Sequence, residues 1–288
     1  MLRVVSFFVN RMPGLVKGIL ALVGFILARV VRYRSDVIYK NLKNSFGHKK
    51  SDTELKQLHF DYYRVLMRYL YENLERISKP TEVSLTRLIM ENTAKWKETI
   101  STRPTIILAS HYGNWEYNLS LLPAVMTQRM IVLYKPLANA FSGRIMEKIR
   151  TLHGAEIYPS DQMVRVLAAN RGQPVTYVLI ADQTPFNMNG VYWNTFLSQR
   201  TPWLNGAEKL ATRYAMQVVY IHQIPLPEGN KKYYQLKPEI ITTDASIEPP
   251  GFVTEKYSRL LEAEIASEPE FWLWSHKRWK RAHTDPGT

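Results

Sequence analysis

Residues 105–116 read TIILASHYGNWE, and this stretch decides the fold class that the sequence predicts. Its first five residues are β-branched or apolar, which favours a short buried strand. Gly113 permits a tight turn after the strand, and Asn114 is a favourable N-cap for a helix that would contain Glu116. A strand, a turn and a helix in this order form the unit from which α/β sheets are built.

Short apolar runs alternate with amphipathic stretches over much of the chain. The runs predict strands at residues 105–109, 130–134, 155–158, 175–181, 218–224 and 233–241, and the stretches between them predict helices at 115–125, 141–152, 162–171 and 202–214. Helices are also expected over 51–78, after a capping box of Ser51 and Glu54, from Pro80 to Arg103, and over 255–266. The sequence therefore predicts an α/β fold with a central, mostly parallel or mixed sheet flanked by helices.

The composition excludes several kinds of site. The 288 residues contain no Cys, so disulfides, thiolate nucleophiles and Cys-ligated zinc are excluded. There is no P-loop, no dinucleotide-binding glycine pattern and no HExxH motif, and we expect neither a metal nor a cofactor.

Positive charge is concentrated at the two ends of the chain. The net charge is +13; residues 1–50 hold ten Lys and Arg against one acid, and residues 272–283 add four basic residues without an acid. Residues 15–31 (LVKGILALVGFILARVV) predict an apolar helix with Lys17 and Arg29 near its ends. The stretch between those charges spans about 16 Å, half of a hydrocarbon core of about 30 Å. We therefore expect a helix on or in an anionic membrane surface, rather than an unaided span, a signal peptide or a nucleic-acid interface.

These patterns divide the chain into three predicted regions. Residues 1–35 form a basic, apolar, membrane-associated helix. Residues 36–103 form a helical N-terminal region, and residues 104–283 form an α/β core with C-terminal helices.

His111 and Glu116 are the candidate catalytic residues. His111 would lie at the carboxyl end of a strand, where open α/β sheets place their sites. A loop followed by a helix start lets the two side chains meet, so that Glu116 accepts a hydrogen bond from one imidazole nitrogen while the other takes a proton from a hydroxyl. The spacing alone is weak evidence, because seven His and 25 acids in 288 residues give about 0.6 such pairs by chance. A His that caps a strand and bonds locally is the alternative.

The sequence resembles the lipid A biosynthesis acyltransferase family, within the glycerolipid acyltransferase superfamily that is marked by His, four residues and an acid. The matching blocks are YKNLKNSF (39–46), HYGNWE (111–116), Tyr134 to Pro136, Arg150 ahead of Gly154, Ala181 to Gln183, Phe196 with Thr201 and Pro202, and FWLWSHKRWK (271–280). Lys135 departs from the family pattern, which usually has Arg there.

The resemblance implies a direct transfer mechanism. His111, oriented by Glu116, would activate a lipid hydroxyl to attack the thioester of an acyl carrier. Lys135 and Arg150 would hold phosphate or stabilise the oxyanion, although an ammonium lacks the bidentate fork of a guanidinium.

The remaining implied residues surround that centre. Asp182 and Gln183 would shape or hydrogen-bond the site. His276 and Arg278 would meet headgroup phosphate, or would lie on a solvated terminal helix.

The resemblance also implies the partners and the location. The donor would be an acyl carrier protein or acyl-CoA, the acceptor a lipid A precursor, and the location the inner membrane with the site facing the cytoplasm. A basic surface would steer an acidic carrier protein, and no nucleic acid is expected. Four alternatives stay open: another acceptor such as a lysophospholipid or aminolipid, a lipid hydrolase, a non-catalytic membrane-binding protein, and an ordinary buried N-terminal helix with solvated ends.

Overall fold

The computed structural model describes residues 2–90, 94, 100, 102–126, 128–134, 143, 147, 150–151 and 153–282. Its strands are β1 (Leu88–Met90), β2 (Thr105–Ala109), β3 (Arg129–Tyr134), β4 (Glu156–Pro159), β5 (Val175–Ile180), β6 (Tyr192–Phe196), β7 (Gln199–Trp203), β8 (Gln217–Pro225) and β9 (Tyr234–Thr242). Its helices are α1 (Leu2–Arg11), α2 (Pro13–Arg29), α3 (Ser35–Phe46), α4 (Asp52–Ser78), α5 (Thr81–Leu85), α6 (Trp115–Val125), α7 (Met163–Ala169), α8 (Gly206–Arg213) and α9 (Phe252–Ser267).

The described strands form a main sheet of seven and a separate hairpin of two. The order in the main sheet is β1-β9-β8-β2-β5-β3-β4. From β8 to β4 the neighbours pair in parallel, whereas β9 is antiparallel to β8 and β1 is parallel to β9. All five residues of β2 are buried, as expected for a strand covered on both faces. The predicted α/β fold with a mostly parallel central sheet is confirmed.

Local signals fix several elements where the sequence predicted them. Strand β2 and helix α6 have the predicted bounds. Helix α4 begins with the predicted capping box: the Ser51 hydroxyl accepts a hydrogen bond from the Glu54 N–H at 3.3 Å, and the Glu54 carboxylate accepts one from the Ser51 N–H at 2.7 Å. Such a box satisfies N–H groups that the first turn of a helix leaves free.

Three predictions of secondary structure are wrong. Pro80 does not lead into one continuous helix, because α5 ends at Leu85 and β1 follows within the region predicted to be helical. Residues 202–205 do not begin a helix, because the chain up to Trp203 is paired with β6 as strand β7. Residues 271–280 do not form a terminal helix, because Phe271 ends a short 3-10 helix, Trp272 pairs with Tyr112 and turns follow. Most of the predicted helix 141–152 lies outside the described residues.

Helices α1 and α2 pack on α4 and leave much apolar surface exposed. The small residues Gly24 and Ala28 are the buried ones of α2, and a Cβ on Gly24 would come within 2.8 Å of Met67 Cγ. The exposed apolar side chains of the two helices and of the residues that adjoin them are Val4, Phe7, Phe8, Met12, Leu15, Ile19, Leu22, Val23, Phe25, Ile26, Val30 and Val31. Within the described residues no single helix has the length and hydropathy of a membrane span, although α1 and α2 together, bent by 107°, meet that test as a pair.

Candidate active site

His111 and Asp182 meet at the carboxyl ends of two adjacent parallel strands. Ala109 of β2 is in register with Ile180 of β5, and each strand continues for two residues to one of the two side chains. The His111 Nδ1 and the Asp182 Oδ1 are 2.6 Å apart. The sheet topology therefore places an imidazole and a carboxylate together at the edge where α/β folds bind ligands.

The Asp182 carboxylate is buried and is held by two further contacts. It is 2% exposed, and its Oδ2 accepts hydrogen bonds from the His111 backbone N–H at 3.0 Å and from the Trp272 indole N–H at 2.8 Å. Burial alone would raise the pKa of Asp182, but the interaction with the His111 ring and these hydrogen bonds outweigh it and hold the pKa below its ordinary value. Asp182 is therefore a fixed, ionised acceptor for the Nδ1 proton of His111.

The other imidazole nitrogen faces a side-chain amide. With the proton on Nδ1, the Nε2 of His111 carries the lone pair, and the Gln183 Nε2 lies 3.1 Å from it as a donor. The ring packs edge-on against Trp115, with centroids 4.8 Å apart, and is 15% exposed. His111 is thus oriented on three sides and retains an accessible edge.

Glu116 does not orient His111, so the predicted dyad is corrected. The Glu116 carboxylate forms a bidentate ion pair with Arg150, whose Nε donates to Oε2 at 3.0 Å and whose Nη2 donates to Oε1. Arg150 also lies over the Tyr134 ring, 5.6 Å from its centroid. Glu116 occupies the first turn of α6, beyond the turn at Gly113, whereas Asp182 is carried to His111 by strand pairing.

The turn between β2 and α6 depends on a glycine and an asparagine. Gly113 has φ +63°, and a Cβ there would lie 3.2 Å from both the Cβ and the carbonyl oxygen of Gln223. The Asn114 side chain caps α6 by accepting from the Tyr117 N–H at 3.2 Å and donates to Glu72 at 3.0 Å. Only glycine suits this conformation and spacing, and the cap fixes where the helix starts.

The C-terminal segment supports the loop that follows β5. The Thr184 N–H donates to the Nε2 of His276 at 3.2 Å, and the Thr184 hydroxyl donates to the carbonyl of Arg278 at 2.6 Å. Burial, opposed by the nearby Asp182 charge, lowers the pKa of His276 to about 4. A neutral His276 accepts from the backbone two residues after Asp182.

Arg278 is not available at the surface for headgroup phosphate, which corrects that expectation. Its side chain is fully buried, with the guanidinium 4.6 Å from the Trp203 ring centroid and Nη2 donating to the Pro202 carbonyl at 2.8 Å. Burial, opposed by Asp182 and Tyr257, lowers its pKa to about 10. Trp203 also packs on Phe196, so Arg278 of the C-terminal segment forms one cluster with the hairpin of β6 and β7.

The sequence reasoning missed what Asp182 does, although it singled out the residue. The available signal was its position just after an apolar strand, as for His111. Lys135 lies outside the described residues. Among the residues that the structure describes, no group of three His, Asp or Glu side chains is placed to hold a metal ion.

Comparison with known proteins identifies one family. The model of the bacterial lipid A biosynthesis acyltransferase family matches residues 4–281. The comparison with curated proteins gives no match. The matched range contains every sequence block on which the resemblance was based, together with His111, Asp182, Glu116 and Arg150.

Proposed function

Because the chain belongs to the bacterial lipid A biosynthesis acyltransferase family, we propose that it transfers a fatty acyl chain from acyl carrier protein, or from acyl-CoA, to a hydroxyl of a lipid A precursor. The family makes the protein an acyltransferase of lipid A biosynthesis. The observation that carries the mechanism is the 2.6 Å contact between His111 Nδ1 and Asp182. With Asp182 bound to Nδ1, the Nε2 of His111 is the nitrogen that acts as the base, at the carboxyl ends of the strands.

The proposed reaction proceeds without an acyl-enzyme. Nε2 of His111 takes the proton of the acceptor hydroxyl as its oxygen attacks the thioester carbonyl, and Asp182 stabilises the imidazolium that forms. The tetrahedral intermediate collapses with cleavage of the C–S bond, and the leaving thiolate takes the proton from His111. The products are an ester and a free thiol, and we propose no cofactor, since the thioester brings its own activation.

Gln183 and Arg150 have distinct roles in this proposal. The acceptor hydroxyl replaces the Gln183 amide at Nε2, which frees that amide to donate elsewhere in the site. Arg150, held by Glu116, supplies positive charge for the oxyanion or for a substrate phosphate. We propose the same role as that of Arg150 for Lys135, on the family resemblance alone.

We propose a location at the inner membrane with the site facing the cytoplasm, as the family resemblance implies, and the exposed helices support attachment to a membrane surface. A peripheral helix buries an apolar face at the boundary of headgroups and acyl chains, and basic residues strengthen binding to anionic lipids. Helices α1 and α2 offer such a face, and the first 50 residues hold ten basic side chains. A glycolipid acceptor would then reach the site from the bilayer, and an acidic acyl carrier protein from solution.

The test is acyl transfer by the purified chain in lipid bilayers, followed by mass spectrometry of the lipids. We expect the wild type and His48→Ala, a change at a surface histidine, to add one acyl mass to a lipid A precursor. We expect His111→Ala to lower the rate at least about 100-fold, the typical contribution of a general base, while it still folds and binds vesicles. Transfer by His111→Ala at the wild-type rate would refute the mechanism. Acylation of a lysophospholipid or aminolipid instead would refute the acceptor.

A further inference from the structure

Arg76 of helix α4 is a buried cation that has no counter-charge within the described part of the chain. Its side chain is 1% exposed, and none of its three guanidinium nitrogens has a hydrogen-bond partner among the residues that the structure describes. Native proteins rarely bury a charge unless it is paired, because the desolvation cost is large. Arg76 therefore lacks an acceptor that the fold would be expected to provide.

The carboxylates closest in sequence are committed to other residues. Glu72, one turn before Arg76, accepts hydrogen bonds from Arg68 at 2.7 Å and from Asn114 at 3.0 Å. Glu75 forms ion pairs with Lys79 and with Arg87. Neither carboxylate balances the charge of Arg76.

A second unpartnered polar atom belongs to His153. Its Nε2 is buried without a partner in the described part of the chain, while its Nδ1 lies 3.3 Å from the Thr81 hydroxyl. Thr81 begins α5, five residues after Arg76 in the chain, so this contact places His153 beside the end of α4 that carries Arg76. Burial, and then the positive charge of Arg76, lowers the pKa of His153, whereas the charge of Glu82 raises it. The Tyr117 hydroxyl, in the first turn of α6, donates to the Ser84 carbonyl of α5 at 3.0 Å and so ties α6 to the same junction. The two unpartnered groups thus lie near the junction of α4 and α5.

We propose that Arg76 and His153 form a buried site for a phosphate group. A guanidinium offers a fork of N–H donors that matches the oxygens of phosphate, and the imidazole adds one further donor. A phosphate would supply both the negative charge and the acceptor atoms that these side chains lack. The site is separate from the pair of His111 and Asp182, and it extends the molecule's function beyond the proposed acyl transfer.

The test is thermal unfolding of the full chain in detergent, with and without phosphate at constant ionic strength. One series uses inorganic phosphate and the other dihexanoylphosphatidic acid, with chloride as the reference anion. Phosphate at ten times its Kd raises the folded-to-unfolded ratio about 11-fold, a Tm increase of about 3 °C. We expect this increase for the wild type and for Arg64→Met, which removes an exposed charge from the same helix, and no increase for Arg76→Met.

The behaviour without phosphate is the second part of the test. If Arg76 has no partner in the chain, Arg76→Met is at least as stable as the wild type in chloride, because it removes an uncompensated buried charge. A fall in Tm of more than about 3 °C would show that the chain itself supplies a partner, and would overturn the proposal. His153→Gln is an independent second variant that leaves α4 unchanged, and we expect it to fold and to show weaker stabilisation by phosphate than the wild type; equal stabilisation would overturn the proposal.

The two series distinguish the sources of the phosphate. Stabilisation by both probes assigns the site to any accessible phosphate, and stabilisation by the lipid alone assigns it to a lipid headgroup. No stabilisation of the wild type by either probe, or equal stabilisation of Arg76→Met, overturns the proposal. The experiment measures stability, so a negative result would overturn the phosphate site without bearing on whether the chain transfers acyl groups.

Discussion

Two carboxylates near the site bind two different side chains. Asp182 binds the Nδ1 of His111 and the Trp272 indole, whereas Glu116 forms its ion pair with Arg150. A carboxylate fixes an imidazole tautomer only when it contacts the ring. The residue that matters for proton transfer in this geometry is therefore Asp182, and Glu116 acts by holding the arginine.

We expect Asp182→Asn to lower kcat about 10⁴-fold, because the amide favours the wrong tautomer and does not stabilise the imidazolium. Glu116→Gln removes a charge partner of Arg150 but leaves His111 in place, so we expect a rise in KM and a loss in kcat of less than about 10-fold. Steady-state rates of acyl transfer measure both. If Glu116→Gln loses as much kcat as Asp182→Asn, the assignment of the orienting carboxylate is wrong.

His276 gives a testable pH dependence of stability. Its pKa is about 4 in the folded chain against 6.5 ordinarily, so the unfolded chain binds a proton at higher pH than the folded one. The stability that depends on neutral His276 is complete above pH of about 6.5 and is lost as the pH falls towards about 4.

His276→Gln keeps an acceptor for the Thr184 N–H and removes this titration. Between pH 7 and pH 5 we expect the wild type to lose about 2 kcal/mol more of its free energy of unfolding than the variant does. Urea unfolding at the two pH values measures the difference. Equal losses in both proteins would mean that His276 titrates normally.

At the scale of elements, strand β2, the turn and helix α6 were predictable because each has a local cause. The apolar run, the glycine and the N-cap are all visible within residues 105–116. The pairing of β2 with β5 was not predictable in the same way, since residues 71 positions apart meet only through the order of the sheet. The local sequence therefore identified His111 correctly. It indicated Glu116 as the partner because that carboxylate is nearer in sequence, whereas Asp182 is the one in contact.

The hairpin of β6 and β7 was missed for a different physical reason. Its two-residue turn, Leu197 and Ser198, has φ of +48° and +62°. Such turns usually contain Asn or Gly, which tolerate positive φ, so the usual signal was missing. The turn is held instead by a long-range contact, in which the Leu197 N–H donates to Glu262 at 2.6 Å.

The turn at Gly113 requires both a positive φ and the absence of a side chain next to Gln223. A comparison with Gly172, which has only the first requirement, separates the two. Gly113 and Gly172 both have positive φ, but only at Gly113 would a Cβ meet neighbouring atoms. We expect Gly172→Ala to cost about 1 kcal/mol of stability from backbone strain and to leave activity unchanged. We expect Gly113→Ala to cost about 2–3 kcal/mol and to lower kcat, because the turn that carries His111 must shift.

Urea unfolding and acyl-transfer rates test both glycine variants. If Gly113→Ala costs no more stability than Gly172→Ala and keeps full activity, the close approach to Gln223 does not constrain the site.

At the scale of the whole molecule, the two basic ends of the chain lie together. The Asn41 amide of α3 donates to the Trp274 carbonyl at 2.9 Å, and the Tyr62 hydroxyl contacts the Ser275 hydroxyl at 2.9 Å. The exposed Lys277 and Lys280 of the C-terminal segment thereby lie near the basic N-terminal region, whereas Arg278 is buried. The exposed apolar face of α1 and α2 belongs to the same N-terminal region.

This arrangement predicts vesicle binding with an apolar and an electrostatic part. Leu22 and Phe25 of α2 are 59% and 50% exposed, and Ile247, after β9, is 77% exposed. Burying one such side chain contributes about 1.5–3 kcal/mol, so we expect the double variant Leu22→Glu and Phe25→Glu to weaken binding at least about 100-fold. Ile247→Glu is the matched control and should bind like the wild type.

Added salt isolates the electrostatic contribution to vesicle binding, because counter-ions screen the surface charges of the protein and the lipids. We expect wild-type binding to vesicles that contain phosphatidylglycerol to fall with added salt, and binding to phosphatidylcholine alone to be weaker and nearly independent of salt. Co-sedimentation measures both. If the double variant still binds as the wild type does, the apolar face of α2 covers something other than a bilayer, because two carboxylates at the acyl-chain boundary oppose insertion whatever the lipid headgroup.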